Sequence, residues 1–278
     1  MKVSIIIPNW NGRAVLEKCL DSIRLRTEGL GYNYEVIVID NGSNDGSVEM
    51  LRNDYAWAKV IANEKNLGFA KANNQGFEIA KGDYLFMLNN DTLVTENWLE
   101  NMLAIVEADN KIASLGCVLV SREQYFYQGS PKFGTRERLT VCGAAMLIRK
   151  KALLDVGMLD DVNFSPIYGE ETDWNYRARN KGYKVMETSL VPIIHIGSHD
   201  TTGQTSREYQ YVLMNTHRLK AMLYNLPLNL LASHLGGLTL IFINSIRERR
   251  LRLLLKAYRN ILADWSAIRQ ERRRRLGG

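Results

Sequence analysis

Nothing in this chain of 278 residues offers its cysteines a partner. The three of them, Cys19, Cys117 and Cys142, are odd in number, widely spaced and without a CxxC pair. That excludes a disulfide framework and argues against a thiolate metal site. Each sits among apolar neighbours and reads as a buried free thiol, which suits a reducing compartment. No Walker A sequence and no GxGxxG are present, which disfavours a P-loop ATPase and a standard dinucleotide-binding half. The N-terminus "MKVSIIIPNW" has one Lys, a short apolar run and no small-residue cleavage site. It reads as a first strand, not a signal peptide, and the expectation is a cytoplasmic protein. No aromatic stacking platform or binding motif accompanies the Arg-rich end "RQERRRRL", so nucleic acid is not an expected partner in spite of a pI near 9.1.

What is present is globular: 46% hydrophobic and 24% charged residues, enough chain for one large α/β domain or two small ones. The net charge of +6 is unevenly spread. Residues 247–278 hold 11 of the 36 basic and 3 of the 30 acidic residues, leaving a slightly acidic remainder. The basic excess therefore lies wholly in the tail and points to a local anionic partner.

Along the chain, apolar runs of strand length alternate with helical patterns. "VSIIIP" (3–8), "EVIVID" (35–40), "KVIAN" (59–63) and "DYLFML" (83–88) read as strands buried on both faces. "AVLEKCLDSI" and "FAKANNQGFEIAKG" read as helices, the second stopped by Gly82. Strand–helix–strand repetition predicts a mainly parallel sheet with right-handed crossovers, residues 1–110 forming a nucleotide-binding half. In such sheets ligands bind outside the carboxyl ends of the strands. Asn9 follows the first run, Asp40 ends the second, and Asn89-Asn90-Asp91 end the fourth. Any one of these alone suits a helix cap or turn. Their convergence on one rim points to a ligand, with Asp91 placed to hold something cationic.

A second cluster, "YGEETDWNYRARNKGY", sets Glu170, Glu171 and Asp173 at the start of a helix and Arg177 and Arg179 near its end. Helix-dipole electrostatics explains part of this. Two adjacent Glu plus an Asp exceed what capping needs, and a carboxylate facing a cleft from a helix start suits a general base. "VPIIHIGSHD" follows, an apolar strand interrupted by His195, which is a core residue or a metal ligand; His199 carries no further argument.

In order along residues 3–200, "VSIIIPNWNG", "VIVIDNGSNDGS", "NLGFAKANNQGFEIAKGDYLFMLNNDT", "CGAAMLIRK", "VGMLDD", "YGEETDWNYRARNKGY" and "VPIIHIGS" resemble the family 2 glycosyltransferases, and more closely their rhamnosyltransferase-like branch. The resemblance implies a GT-A fold over residues 1–205, with an acceptor and catalytic half at 111–205, and inverting transfer from a nucleotide diphosphate sugar. It implies a nucleotide site from Pro8, Asn9, Asn11, Asp40, Asn41, Ser43, Asn66, Gly68, Asn73, Asn89 and Asn90, with Asp40 at the base. Asp91 falls at the metal position of the family's DxD motif, with Mg²⁺ or Mn²⁺ as the cofactor and His195 as a second ligand. Glu171 matches the usual catalytic base, with Glu170 and Asp173 as alternatives, and Gly143, Ala144, Trp174 and Arg177 fall at the sugar and acceptor site. The chain departs from the pattern in having Asn89 at the first DxD position and Glu at the base position.

Residues 206–278 form the remaining region. The 26 residues between Lys220 and Arg247 contain no Asp, Glu, Lys or Arg, but Asn, Ser, His and Gly interrupt them. An interfacial or re-entrant helix pair is the expectation, in preference to a span. Leu251, Leu254, Leu255, Tyr258, Ile261, Leu262 and Trp265 then make an apolar stripe, with Arg249, Arg252, Lys256 and Arg259 mostly opposite. Such a helix suits the anionic inner face of a cell membrane, a lipid-linked saccharide acceptor, and a homo-oligomer through these helices as an open option.

Overall fold

The computed structural model describes residues 2–29, 31, 33–197 and 206–277. His199 and the boundary drawn at residue 205 lie outside the described residues. Strands β1 (Lys2–Asn9), β2 (Asn33–Asp40), β3 (Lys59–Ala62) and β4 (Tyr84–Leu88) pair in parallel, in the order β3-β2-β1-β4. Helices α1 (Arg13–Thr27), α2 (Ser47–Asp54) and α3 (Phe69–Ile79) form the crossovers. The helix α3 stops earlier than expected: Ala80, extended, caps it by donating its amide to the Gly76 carbonyl, and Gly82 plays no part.

The sheet continues past β4 through β8 (Ala145–Arg149), β6 (Ile112–Val120), β9 (Lys184–His195) and β5 (Thr92–Leu93), with β7 (Thr135–Glu137) paired to β9. Here β8 runs antiparallel to both β4 and β6, while β6 and β9 are parallel. Helices α4 (Trp98–Ala108), α5 (Lys150–Val156) and α6 (Glu170–Asn180) cover this part.

The two-residue period of a strand sorts the apolar runs onto two faces. Ile5, Ile7, Val36, Val38, Phe86 and Leu88 join α1, α2 and α4 on one side. Ile6, Ile37, Ile39, Leu85 and Met87 join α3, α5 and α6 on the other. This double burial is why the strands read as unbroken hydrophobic runs. Cys19 and Cys117 are buried as expected, but Cys142 is exposed, because it lies in the loop before β8 and not within a strand.

The C-terminal region is helical: α7 (Arg207–Asn225), α8 (Leu228–Ser233), α9 (Leu235–Arg247), α10 (Leu251–Ala263) and α11 (Trp265–Leu276). Among the described residues no helix is long and apolar enough to cross a membrane. The uncharged stretch is broken between α7 and α8 and again at His234. The apolar stripe is also divided. Leu254 and Ile261, with Ala257 and Ile268, are buried within the C-terminal helices, whereas Leu255, Leu262 and Trp265 remain exposed. Phe164 and Tyr176 from the sheet domain share a third core with Met222, Tyr224, Ile261 and Ile268, so this region packs on the α6 side of that domain.

Candidate active site

The ends of β1, β2 and β4 do meet at one rim. Asp40 is fully buried and accepts from Asn9 Nδ2 at 2.8 Å and from the Ser43 amide at 2.8 Å. Asn9 Oδ1 accepts in turn from Asn90 Nδ2 at 2.7 Å, and the Asn11 amide donates to Ser43 Oγ at 2.8 Å. The Asp40 carboxylate thus organises the rim from behind. Gly12 allows this closeness, since a Cβ there would lie 2.3 Å from Asn90 Nδ2.

A cleft of about 410 Å³ opens above the network, lined by Pro8, Asn9, Asn41, Asn66, Asn89, Asn90 and Asp91. Gly68 stands just behind, its amide bonded to Asn66 Oδ1 at 2.8 Å and its carbonyl accepting from Asn41 Nδ2 at 3.3 Å. Asn73 is not part of the lining. It is fully buried on α3, donates to the Phe69 carbonyl at 2.9 Å, and faces the core because it sits one turn beyond the rim.

Asp91 and His195 come together through β5 and β9. Thr92 is opposite His195 in that ladder, and the Ile196 amide donates to the Asp91 carbonyl at 2.9 Å. Asp91 Oδ2 lies 3.2 Å from His195 Nε2, and this carboxylate holds the imidazole pKa above its usual range. Asn89 Oδ1, nearby on the same strand end, is buried without a hydrogen-bond partner.

The acidic helix start separates its three carboxylates. Helix α6 follows Tyr168 (φ 75°) and Gly169 (φ 91°), both left-handed. Glu170 is buried with Oε2 unpartnered, and burial followed by the Glu171 charge raises its pKa well above the carboxylate range. Glu171 lines a second cleft of about 690 Å³, together with Thr172, Tyr176, Arg179 and Arg218. Burial raises its pKa too, while Thr172 Oγ1 donates to it at 3.2 Å.

Asp173, expected as an alternative base, is instead a structural anchor. It is fully buried, taking Arg177 Nε at 2.8 Å, Asn225 Nδ2 at 2.7 Å and the guanidinium of Arg275. Trp174 and Arg177 are likewise structural and not ligand-facing. Trp174 is fully buried and donates to the Gly157 carbonyl at 2.8 Å, and Arg177 donates to the carbonyls of Val156 (3.0 Å) and Met158 (2.8 Å).

Two contacts join the clusters. The Asn89 amide donates to the Ala144 carbonyl at 2.8 Å, and a Cβ on the adjacent Gly143 would lie 3.1 Å from Glu171 Cβ. Glycine at 143 therefore lets the Glu171 side chain lie against the segment that enters β8, the neighbour of β4.

Residues 4–162 match the pattern of Glycosyl transferase family 2, more than half of the chain. The chain belongs to this family. The match ends before Glu171 and His195, so the roles of those two rest on the geometry above. Glycosyltransferase AglE of Haloferax volcanii is 27% identical over 195 residues, covering 66% of this chain and 63% of that one. The undecaprenyl-phosphate 4-deoxy-4-formamido-L-arabinose transferase of Aeromonas hydrophila is 39% identical over 111 residues, 38% of this chain and 33% of that one. The chain thus spans less than two thirds of the length of these relatives. Among solved structures, GalNAc-T7 with UDP, GalNAc and Mn²⁺ superposes with a TM-score of 0.65 at 17% identity, covering 81% of this chain and 48% of that one. The mannosyltransferase PcManGT of Pyrobaculum calidifontis, with GDP-Man and Mn²⁺, gives 0.62 at 16% identity, covering 95% and 75%. These likenesses establish the GT-A fold.

For a family 2 member, what the sequence reading missed is the contribution of α7. Tyr209, Gln210 and Leu213 close the first cleft, opposite the strand ends. His217 Nδ1–H donates to the carbonyls of Ile167 (3.0 Å) and Tyr168 (2.8 Å), which fixes the tautomer, and burial lowers its pKa. Tyr168 borders both clefts. No motif marks these residues, because the contact spans about 50 positions of chain.

Proposed function

We propose that this protein is an inverting glycosyltransferase that moves a sugar from a nucleoside diphosphate donor to an acceptor hydroxyl. The observation that carries the reading is the junction at Ala144 and Gly143, which couples the Asp91 strand end to Glu171. The donor lies in the cleft over Asn9, Asn41 and Asn66, and the acceptor enters beside Glu171. Glu171 accepts the proton of the acceptor hydroxyl as that oxygen attacks, a role its raised pKa favours. Glu170 is sealed in the protein and cannot serve as a second nucleophile, so a single displacement inverts the anomeric centre.

The donor set at Asp91 fits a hard divalent cation. A carboxylate oxygen and an imidazole nitrogen 3.2 Å apart match two adjacent ligands at bond lengths of about 2.1 Å. Asn89 Oδ1 adds an oxygen in need of a partner. Among the described residues no group of three or more His, Cys, Asp or Glu is placed to hold a metal ion, so diphosphate oxygens would have to complete the coordination. Mg²⁺ or Mn²⁺, when bound, would neutralise charge on the leaving diphosphate. Asp91 and His195 orient that group, and Asn90, tied through Asn9 to Asp40, holds the rim rigid.

The finer reading is a UDP or dTDP donor, with rhamnose as the sugar, and a lipid-linked saccharide acceptor at the inner face of the cell membrane. Leu235, Leu240, Phe242 and Ile246 are exposed on α9, which supports an interfacial placement. The relative from Aeromonas hydrophila is named for undecaprenyl phosphate, a lipid phosphate, which supports a lipid-linked acceptor.

The test is thermal stability across a panel of nucleotide diphosphates and nucleotide sugars, with Mn²⁺, with Mg²⁺ and after metal removal. A ligand at 100 times its Kd adds about 2.7 kcal/mol. A metal-dependent rise with one nucleotide, absent in Asp91→Ala, is expected. Flat curves throughout would make the chain a non-catalytic scaffold.

A further inference from the structure

A third concavity, a groove of about 1610 Å³, opens along α10 and the start of α7. Arg252, Lys256 and Arg259 fall at spacings of four and three and share one face of α10, and Arg249 (φ 57°) stands in the turn just before the helix. Arg207 adds a charge from the first turn of α7, whose N-terminal dipole is itself positive. Arg207, Arg249, Arg252, Lys256 and Arg259 all line the groove and have no ion-pair partner among the described residues. Its acids are two: Glu248, already paired with Arg250 at 3.0 Å, and Glu208. The opposite face of α10 is spoken for, with Leu254, Ala257 and Ile261 buried.

The groove is continuous with the catalytic centre. Tyr168 lines it and both clefts, Met214 is shared with the Glu171 cleft, and Gln210 with the donor cleft. Helix α9 runs alongside: His234, just before it, lines the Glu171 cleft, Glu248, just after it, lines the groove, and Leu235, Leu240, Phe242 and Ile246 are exposed between them. Basic side chains in a concavity focus the field and favour multivalent anions, and guanidinium groups bind phosphate oxygens in bidentate pairs. Charge complementarity and the adjoining of an exposed apolar helix, a basic groove and the Glu171 cleft select one occupant.

We propose that the groove binds the diphosphate of the acceptor, holding a lipid–diphosphate–saccharide with its saccharide directed past Tyr168 toward Glu171. This rests on the glycosyltransferase reading and adds the chemical class of the acceptor. The basic tail residues on α10 are then a substrate subsite and not a general membrane-binding surface.

The test uses the full chain, stripped of metal on a chelating resin, with inorganic pyrophosphate as the probe in calorimetry. Wild type, Asp91→Ala and the double variant Arg252→Gln/Arg259→Gln are compared, with Lys256→Gln as a milder second variant. The expected result is equal binding by wild type and Asp91→Ala, at least tenfold weaker binding by the double variant, and an intermediate value for Lys256→Gln. Undiminished binding by the double variant overturns the proposal, and so does loss in Asp91→Ala, which would place the anion at the donor cleft. Flotation with phosphatidylglycerol and phosphatidylcholine vesicles is run alongside. A double variant that keeps pyrophosphate binding but no longer floats with phosphatidylglycerol would make the groove a headgroup surface and also overturn the proposal. The nucleotide-sugar panel is repeated on the double variant, where the donor-induced shift is expected intact. No shift in any protein, with the pyrophosphate result as expected, would defeat the glycosyltransferase reading and the acceptor assignment while leaving a phosphate site.

Discussion

Asp173 and Arg275 are 102 residues apart in the chain and in contact in the fold. Arg275 also reaches Asp160 and Glu271, both at 2.5 Å, and stacks its guanidinium 4.8 Å from the Tyr224 ring centroid. Three residues earlier, Arg272 donates to the carbonyls of Leu223 (2.6 Å) and Leu226 (2.7 Å). The end of the chain, expected from its charge to meet an anionic partner, is turned inward at these two residues. It clamps the helix that carries Glu171.

Removing one partner of a buried pair costs about 3–5 kcal/mol where the other charge is left uncompensated; Asp173 keeps Arg177 at 2.8 Å, so the loss here falls below that range. Arg275→Ala is therefore expected to lower the melting temperature by several degrees, and deletion of residues 247–278 to destabilise the catalytic half itself. Scanning calorimetry checks both. A melting point for Arg275→Ala within a degree of wild type would remove the clamp from the account. Membrane attachment is accordingly better read from point variants than from deletions.

Glu171→Gln keeps shape and removes the base. Transfer is expected to fall by about 10²–10⁴-fold, with the donor-induced thermal shift retained. Gly143→Ala places a methyl 3.1 Å from Glu171 Cβ and is expected to lower kcat with little change in donor KM. Steady-state kinetics with a saturating donor separates these outcomes.

The Glu170 and Glu171 carboxyls are both raised by burial. Folded protein therefore binds more protons than unfolded chain above the ordinary glutamate pKa, and stability falls as pH rises through that window. The melting temperature is expected to fall as pH is raised from the ordinary glutamate range, with a smaller fall in Glu170→Gln. The same shift moves the acid limb of the pH–rate profile above the ordinary glutamate range, since Glu171 must be ionised to act. An unchanged slope in Glu170→Gln would mean that this carboxyl titrates alike in the folded and unfolded chain.

His195→Ala is expected to weaken the Mn²⁺ dependence of the nucleotide-induced shift, and Asp91→Ala to abolish it. Each variant should fold, because both side chains lie at a strand end and not within the two cores. Manganese titration followed by melting temperature distinguishes a metal site from a simple ion pair.

The strands were legible because their signal is local. A run such as Ser4-Ile5-Ile6-Ile7 has few ways to bury both faces other than as a central strand, and its polar exit at Asn9 follows from where the sheet ends. The pairing of Asn9 with Asp40 and Asn90 was implied once those exits shared a rim. Helix ends were less legible: α3 stops at Ile79 because the chain must turn into β4, which overrides any local preference at Gly82.

Glu170, Glu171 and Asp173 looked interchangeable because nothing in four consecutive positions ranks them. An α-helix turns about 100° per residue, so each points at a different neighbour, and those neighbours come from far along the chain. Phe164 and His217 pack against Gly169, at the turn into the helix, Asn225 and Arg275 take Asp173, and Gly143 leaves space for Glu171. The amino-acid pattern settled the strand order of the first half and the polar rim, since hydrophobic periodicity acts over a few residues. Which carboxylate faces a cleft, and that the C-terminal helices complete both clefts, was decided by packing between segments 50 to 102 residues apart, which no local period records.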